Sequence, residues 1–332
     1  MKKMTRALVT GGAGFIGGHL AKSLLGQNFD VTIADNFSRG RHDAELSALL
    51  KSPNAHLIEG DLTDAGVWKT IAGGYDHVYH LASINGTKLF YTVPHEVLRI
   101  GIVSTVNVLN WFHTINNVQN AKILYASSNE AYAGALESFG VLPIPTPENV
   151  PLVISDTYNP RWSYAGQKLI GELFFIHYAK AYRFRMSIVR PHNFYGPRAG
   201  WDHVIPEIIG RAMSKTDPFP LLGTDDTRSF CFIDDAVEAI QMVMESNTTD
   251  DGTYHIGTRE ETIIKDLVEE IFSLMQWHPK KLEAKESPQG SVKRRLADVS
   301  KIKNDTGWEA RIGLREGLQK TIEWYLNNPK PQ

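Results

Sequence analysis

Residues 7–18 read Ala-Leu-Val-Thr-Gly-Gly-Ala-Gly-Phe-Ile-Gly-Gly, and this stretch decides the fold of the chain. A short apolar run enters three glycines, each three positions after the last, and a segment suited to a helix follows at once. The missing side chains let backbone amides approach a pyrophosphate, and the helix N-terminus adds partial positive charge there. A tight strand-to-helix turn also favours glycine for structural reasons alone. The residues assigned to this loop are Gly11, Gly14, Phe15, Ile16 and Gly17.

An acidic residue after a second β-type run strengthens the binding interpretation. Residues 31–34, Val-Thr-Ile-Ala, end in Asp35, which lies 18 positions after Gly17. A dinucleotide-binding motif needs a carboxylate there to bind the ribose hydroxyls. The carboxylate accepts hydrogen bonds from a 2′-hydroxyl and repels a 2′-phosphate, so NAD is the expected cofactor. Arg39 lies four positions further on and could instead bind a 2′-phosphate, which keeps NADP as the alternative.

The bulk composition is that of an ordinary globular protein. The chain has 332 residues, of which 42% are hydrophobic and 22% are charged, and its formal net charge is −2. This balance gives no electrostatic reason to expect nucleic acid as a partner. No run of about 18 apolar residues is present, so a membrane partner is not expected either. Cys231 is the only cysteine, which fits a cytoplasmic location, and no metal ligand is assigned.

Short β-type runs alternate with longer helical patterns through the first half of the chain. Such alternation predicts an α/β fold with a Rossmann-type, doubly wound parallel sheet. Strands are predicted at residues 7–9, 31–34, 56–58, 77–80, 123–126 and 186–189, and helices at 19–26, 97–114, 164–181 and 206–215.

The character of the chain changes after about residue 195. We assign residues 1–195 to a nucleotide-binding domain and 196–332 mainly to a smaller C-terminal substrate-binding lobe. A segment near residues 228–257 is expected to return to the first domain. The β-type segments predicted in this part are 228–233 and 252–256, and the helices are 264–275 and 314–326.

A tyrosine and a lysine supply the candidate catalytic chemistry. Tyr164 and Lys168 are four residues apart in a helical pattern, so they share one face. A phenol with a pKa near 10 is a poor base unless a nearby cation stabilises its phenolate. Lys168 provides that cation, and Ser128, after a predicted strand, would orient a substrate alcohol.

These motifs together resemble the extended short-chain dehydrogenase/reductase family, within it the nucleotide-sugar epimerases, dehydratases and decarboxylases. The resemblance covers roughly residues 4–326. Besides the glycine loop and Tyr164-x-x-x-Lys168, it includes the motifs Asp35-Asn-Phe-Ser38, Gly60-Asp-Leu62, His80-Leu-Ala-Ser83, Arg190-Pro-His-Asn-Phe-Tyr-Gly-Pro-Arg198 and Arg228-Ser-Phe-Cys-Phe-Ile-Asp-Asp235.

The resemblance implies an NAD site and a UDP- or TDP-sugar substrate. Asn193 and Arg228 would contact the sugar nucleotide, with Arg228 near its diphosphate; an ion pair with Asp225 or Asp226 is the alternative for Arg228. Gly101 and Ser104 depart from the family, which usually has Asn and Gly at these positions. The further residues implied to contact NAD are Asn36, Asp61, Leu62, Leu81, Ala82 and Ser83, together with Tyr164 and Lys168.

The first chemical step implied by the resemblance is oxidation of the sugar C4 hydroxyl. Tyr164 would take the proton and NAD the hydride. The segment Ser127-Ser-Asn-Glu130 then separates the subfamilies. TDP-sugar dehydratases typically have an Asp-Glu pair there, and Asn129 cannot protonate a leaving hydroxyl. Glu130 is similar to the glutamate of nucleotide-sugar uronate decarboxylases.

Two further segments resemble the decarboxylases. Arg161 lies in Pro160-Arg-Trp-Ser-Tyr164, which is similar to their Pro-Arg-x-x-Tyr pattern. Arg295 lies in a segment that resembles their Arg-x-Pro-Asp-Ile pattern, where it would neutralise a substrate carboxylate. We therefore expect activity like that of a UDP-glucuronate decarboxylase. The alternatives are a 4-epimerase acting on UDP-glucose or UDP-glucuronate, and a dinucleotide-sensing protein without catalytic activity.

Two long predicted helices suggest self-association. Residues 97–114 and 164–181 carry apolar side chains on more than one face. By resemblance, each would pair with its copy in a four-helix contact, which predicts a homodimer.

Overall fold

The computed structural model describes residues 4–116, 118–135, 142–286 and 292–330. Its main feature is a seven-stranded sheet with strands in the order β11-β6-β5-β4-β1-β2-β3. The strands are β1 (Arg6–Thr10), β2 (Asp30–Asp35), β3 (Ala55–Glu59), β4 (His77–His80), β5 (Lys122–Ala126), β6 (Arg185–Pro191), β7 (Phe194–Tyr195), β8 (Phe219–Leu222), β9 (Thr227–Arg228), β10 (Cys231–Phe232), β11 (Gly252–Ile256), β12 (Thr262–Ile263), β13 (Leu282–Lys285) and β14 (Arg294–Arg295).

The sheet confirms the predicted Rossmann-type fold. The pairs from β3 through β2, β1, β4 and β5 to β6 are all parallel. Thr10, at the end of β1, lies opposite Ala34 on one side and His80 on the other. The carboxyl ends of these strands therefore meet at one edge of the sheet, which is where open parallel sheets bind their ligands.

The predicted helices are present, and their ends lie within a few residues of the predicted ones. The first begins at Phe15, so Phe15, Ile16 and Gly17, which were assigned to the glycine loop, form the start of the helix. The helices are α1 (Phe15–Gly26), α2 (Ala44–Leu49), α3 (Ala65–Thr70), α4 (Thr87–Thr92), α5 (Pro94–Thr114), α6 (Trp162–Tyr182), α7 (Val204–Met213), α8 (Ile233–Glu245), α9 (Ile264–Met275), α10 (Ser300–Thr306) and α11 (Leu314–Asn327). None of these described helices is long and apolar enough to cross a membrane.

The first of two compact units consists of residues 1–131, 156–190 and 237–254. Its core lies between the sheet and the helices that cover it. Apolar strand residues and large aromatic side chains are fully buried there, which removes a large apolar area from water. They include Leu8, Val78, Ile123, Ile188, Phe112 and Phe175.

The second unit consists of residues 132–155, 191–236 and 255–332. It contains three small sheets, formed by β9 with β12 and β14, by β7 with β10, and by β8 with β13. Helices α7, α9 and α11 pack against one another within it. Residues 228–233, predicted as one β-type segment, form parts of β9 and β10 and the start of α8. The assignment of substrate binding to this part of the chain stays a prediction.

Candidate active site

Two positions of the glycine loop have no room for a side chain. Gly11 has a φ of +70°, and a Cβ there would lie 3.0 Å from the backbone of Ala82. A Cβ on Gly17 would lie 2.2 Å from the carbonyl oxygen of Gly11. Among the described residues, no side chain caps the first amides of α1, and its first turn contains no acidic residue. The exposed end of this helix dipole therefore fits the pyrophosphate of a dinucleotide.

Asp35 is anchored between the glycine loop and the turn after β2. Its Oδ2 accepts a hydrogen bond from the amide of Ala13 at 3.0 Å, and its Oδ1 accepts one from the amide of Phe37 at 2.9 Å. Each carboxylate oxygen accepts more than one hydrogen bond. Asp35 can thus bind ribose hydroxyls as well, and the loop and this carboxylate together fit NAD.

Thr10 connects the glycine loop to the end of β4. Its Oγ1 accepts hydrogen bonds from the amides of Leu81 and Ala82, both at 3.2 Å. The same oxygen lies 2.9 Å from Nδ1 of His80. Burial lowers the pKa of His80 to about 3, so the ring is neutral. Thr10 and His80 thereby fix the predicted cofactor segment 81–83, a role that local sequence patterns did not show because the partners are about 70 residues apart.

Gln167 explains the unusual glycine at position 101. The Gln167 side chain is buried and donates a hydrogen bond from Nε2 to Oγ of Ser83 at 2.9 Å. A Cβ on Gly101 would lie only 1.7 Å from Oε1 of Gln167. The absence of a side chain on α5 therefore makes room for Gln167 on α6 next to the predicted cofactor segment.

The structure places Tyr164, Lys168 and Ser128 in one buried group of the first unit. Burial raises the pKa of Tyr164, and a hydrogen bond with the Ser128 side chain opposes this rise. The Lys168 Nζ lies 5.7 Å from the centre of the Tyr164 ring and donates to the carbonyl oxygen of Ala126 at 2.7 Å. Burial lowers the pKa of Lys168 to about 7, against the opposing charge of Glu172.

Glu130 and Arg161 lie beside this group. Nη2 of Arg161 lies 3.4 Å from Oε2 of Glu130. The amide of Glu130 donates to Oγ of Ser128 at 3.1 Å, and the charge of Glu130 raises the pKa of Tyr164. The structure thus brings together a phenol, an ammonium, a carboxylate and a guanidinium, which can transfer protons and bind an anion.

The remaining predicted cofactor residues follow β2 and β3. Leu62 is buried, and its carbonyl oxygen accepts hydrogen bonds from Trp68 and Asn107. Asn36 and Asp61 are exposed, and each side chain accepts a hydrogen bond from an amide two residues later. Because β2 and β3 are neighbours in the sheet, these side chains lie at its carboxyl edge, where a role toward a cofactor stays a prediction.

The second unit brings two arginines together. Strand β14 pairs in parallel with β9, and Arg295 lies directly opposite Arg228. Arg295 is buried, and Arg228 is held by an ion pair with Asp226 at 3.6 Å. The ion pair considered for Arg228 is therefore present. Two arginines at opposite positions of adjacent strands also suit an anion such as a diphosphate. Asn193 donates from its side chain to the carbonyl oxygen of Ser229 at 2.9 Å.

Comparison with known proteins gives similarity over nearly the whole chain. A family model described as GDP-mannose 4,6 dehydratase matches residues 8–321. The chain is 30% identical to a UDP-N-acetyl-alpha-D-glucosaminuronate decarboxylase of Bacillus cytotoxicus, over 98% of each chain. It is 30% identical to UDP-glucuronic acid decarboxylase 3 of Arabidopsis thaliana, over 98% of this chain and 91% of that one.

A solved structure shows a similar fold at comparable coverage. The UDP-glucose 4-epimerase of Thermotoga maritima, crystallised with UDP-glucose, superposes with a TM-score of 0.84 at 26% identity. The alignment covers 98% of this chain and 100% of the epimerase chain. Both the decarboxylases and the epimerase thus match the full length of the fold.

Proposed function

Because the chain belongs to the GDP-mannose 4,6-dehydratase family of extended short-chain dehydrogenases/reductases, we propose that it is an NAD-dependent decarboxylase of a UDP-uronate. The family makes it a nucleotide-sugar enzyme. The observation that carries the finer proposal is the contact of Arg161 with Glu130, next to Ser128 and Tyr164. A guanidinium at this place provides a partner for a sugar carboxylate. The relatives that act on uronates support the same reaction.

The proton chemistry belongs to the buried group around Tyr164. Ser128 orients the C4 hydroxyl of the sugar, and the Tyr164 phenolate removes its proton. Lys168, while protonated, stabilises that phenolate electrostatically. NAD would be held by the glycine loop and Asp35 and would supply a reversible hydride acceptor for C4, without net consumption.

Oxidation at C4 prepares the uronate for loss of carbon dioxide. The C4 ketone lies β to the C6 carboxylate, so the electrons of the C5–C6 bond can move into an enolate as that bond breaks. Tyr164, now protonated, donates a hydrogen bond to the enolate oxygen. Glu130 takes up a proton from solvent and passes it to C5 as the carbon dioxide leaves. Arg161 binds the carboxylate before it leaves.

The anion-binding residues of the second unit are assigned separately. Arg228 and Arg295 lie opposite each other on adjacent strands, and we propose that they bind the diphosphate of the nucleotide. In this role Arg295 would bind the phosphates. The resemblance of its sequence segment to the decarboxylases implies a second role, binding of the uronate carboxylate. A substrate without the carboxylate separates these two roles, since only a phosphate-binding arginine affects its affinity.

Epimerisation at C4 is the second candidate. The full-length similarity to the Thermotoga maritima epimerase favours it, and the same Tyr164 and Ser128 chemistry at C4 would serve it. In that case the ketone turns in the site and is reduced on its other face, and the sugar keeps its mass.

Product analysis distinguishes the two reactions. The purified enzyme is incubated with UDP-glucuronate, UDP-N-acetylglucosaminuronate and UDP-glucose, and the products are measured by mass spectrometry and proton NMR. We expect loss of one carbon dioxide from a uronate and no change in UDP-glucose. An unchanged mass with inverted C4 assigns the epimerase instead. If none of these sugars gives a product, both proposals are contradicted. The Tyr164→Phe variant serves as the negative control.

A further inference from the structure

Glu172 lies one helical turn beyond Lys168 on α6 and is buried, with an exposed fraction of 3%. Tyr164, Lys168 and Glu172 follow one another at intervals of four residues, so they form one stripe along the helix. A buried carboxylate costs much free energy unless it is paired and hydrogen-bonded. Its partners therefore show which parts of the structure it holds in place.

Both oxygens of Glu172 are occupied by groups at the ends of two strands. Arg190, at the end of β6, donates from Nε to Oε1 at 2.8 Å and from Nη2 to Oε2 at 2.7 Å. The Ser127 hydroxyl, directly after β5, donates to Oε1 at 2.5 Å. The next residue along the chain is Ser128. Glu172 thus connects the helix of Tyr164 to the strand end that carries Ser128.

We propose that Glu172 is a positioning residue for proton transfer: it fixes Ser128 through Ser127 and places a negative charge one helical turn from Lys168. The inference rests on the proposed function, because the roles of Ser128 and Lys168 are part of it. Lys168 itself holds the same strand end through its hydrogen bond to Ala126 at 2.7 Å. Helix α6 therefore holds the end of β5 through hydrogen bonds to two successive residues, Ala126 and Ser127.

The charged groups around Lys168 determine how much Glu172 affects its pKa. Burial lowers the pKa of Lys168 to about 7, and Glu172 is, among the described residues, the one acid whose charge is found to raise it. Arg190 is paired with that same carboxylate on both of its oxygens. Burial lowers the pKa of His80 on β4 and raises that of Tyr125 on β5, so both are uncharged near neutral pH. Burial also raises the pKa of Tyr164 on α6, so its phenolate needs the protonated Lys168 for stabilisation.

Substitution of the carboxylate tests the charge. In Glu172→Gln we expect the pKa of Lys168 to fall by about one unit. Protonated Lys168 is the active form, and activity is lost as pH rises through its pKa. The alkaline limb of the kcat profile should therefore move to lower pH by the same amount. Glu172→Asp keeps the charge, so its limb should stay in place although kcat falls. An unmoved limb in Glu172→Gln overturns the proposal.

Ser127→Ala tests the positioning on its own. It removes one hydroxyl and leaves the pair of Glu172 and Arg190 intact. We expect kcat to fall roughly tenfold to a hundredfold, with KM and the pH profile unchanged, because Ser128 is no longer held in register. A wild-type kcat contradicts the positioning role.

A titration without substrate keeps the test separate from the proposed function. The ¹³Cε resonance of selectively labelled lysine, assigned with Lys168→Met, reports the pKa of Lys168 whether or not any sugar is turned over. If Glu172→Gln leaves Arg190 unpaired and fails to fold, Glu172→Gln/Arg190→Met removes both charges. We expect the lower pKa of Lys168 in that variant as well, and an unchanged pKa would overturn the proposal.

Discussion

At the scale of single residues, the phenol of Tyr164 is the group on which the proposed chemistry depends. Its ring stacks on Phe90 with the ring centres 4.9 Å apart, so a phenylalanine retains this packing. We expect Tyr164→Phe to lower turnover about 100- to 10,000-fold while NAD stays bound. The checks are product formation and the coenzyme content of the purified variant. Turnover close to that of the wild type would remove Tyr164 from its role.

The coenzyme preference also depends on one residue, Asp35. Replacement by asparagine removes the charge that accepts hydrogen bonds from Ala13 and Phe37 and is expected to bind ribose. We expect Asp35→Asn to weaken NAD binding by about 1.5–3 kcal/mol, measured by calorimetry, since hydrogen bonds to charged groups contribute that much. Arg39→Ala is the matched control and should leave NAD affinity unchanged. If NADP binds more tightly than NAD, and Arg39→Ala abolishes that difference, the chain prefers NADP.

At the scale of elements, α6 can lie close to the sheet because it carries Gly171. A Cβ there would meet the ring of Tyr125 on β5, with its hydroxyl oxygen 2.1 Å away. Tyr125 cannot move aside, since it is buried and stacks on Phe175 with the ring centres 4.7 Å apart. We expect Gly171→Ala to destabilise the fold by about 1–3 kcal/mol, measured by denaturant unfolding.

Gly26 provides the control for that substitution. It ends α1, and a Cβ there would meet no atom within 4 Å. Gly26→Ala should leave stability unchanged or raise it by up to about 1 kcal/mol, because alanine favours the helix. Equal losses in both variants would mean that the close approach at Gly171 is not the cause.

The sequence predicted many of the strands and helices of the first unit but missed a helix with clear helical periodicity. Strands β1 and β2 and helices α5 and α6 were found within a few residues of their ends. Helix α8 was missed although its apolar residues recur at helical spacing, because residues 228–233 were interpreted as one β-type segment. The contacts of Thr10 with His80 and of Glu172 with Arg190 join distant or differently folded segments, so no local pattern shows them.

At the scale of the whole molecule, the motifs identified the family but did not show which segments of the chain form each of the two units. A single boundary at residue 195 was predicted, with a return near 228–257. In the structure, residues 132–155 belong to the second unit and 237–254 to the first. Both units bury ordinary apolar side chains, so composition does not distinguish their segments. The pairing of Arg295 with Arg228 likewise depends on strand register within the second unit.

Self-association is the remaining property of the whole molecule that can be tested directly. Helices α5 and α6 pack against each other, and Leu109 and Phe175 are buried in the core of their own unit. Leu173 on α6 stays 48% exposed, which leaves an apolar side chain for a second copy. We expect a dimer by light scattering at micromolar concentration and a monomer for Leu173→Glu, since a two-fold contact would bring both charges into the interface. Leu326→Glu, at a position 54% exposed on α11, is the control and should remain a dimer. A monomeric wild type would contradict the proposed dimer, and a dimeric Leu173→Glu would place the interface elsewhere.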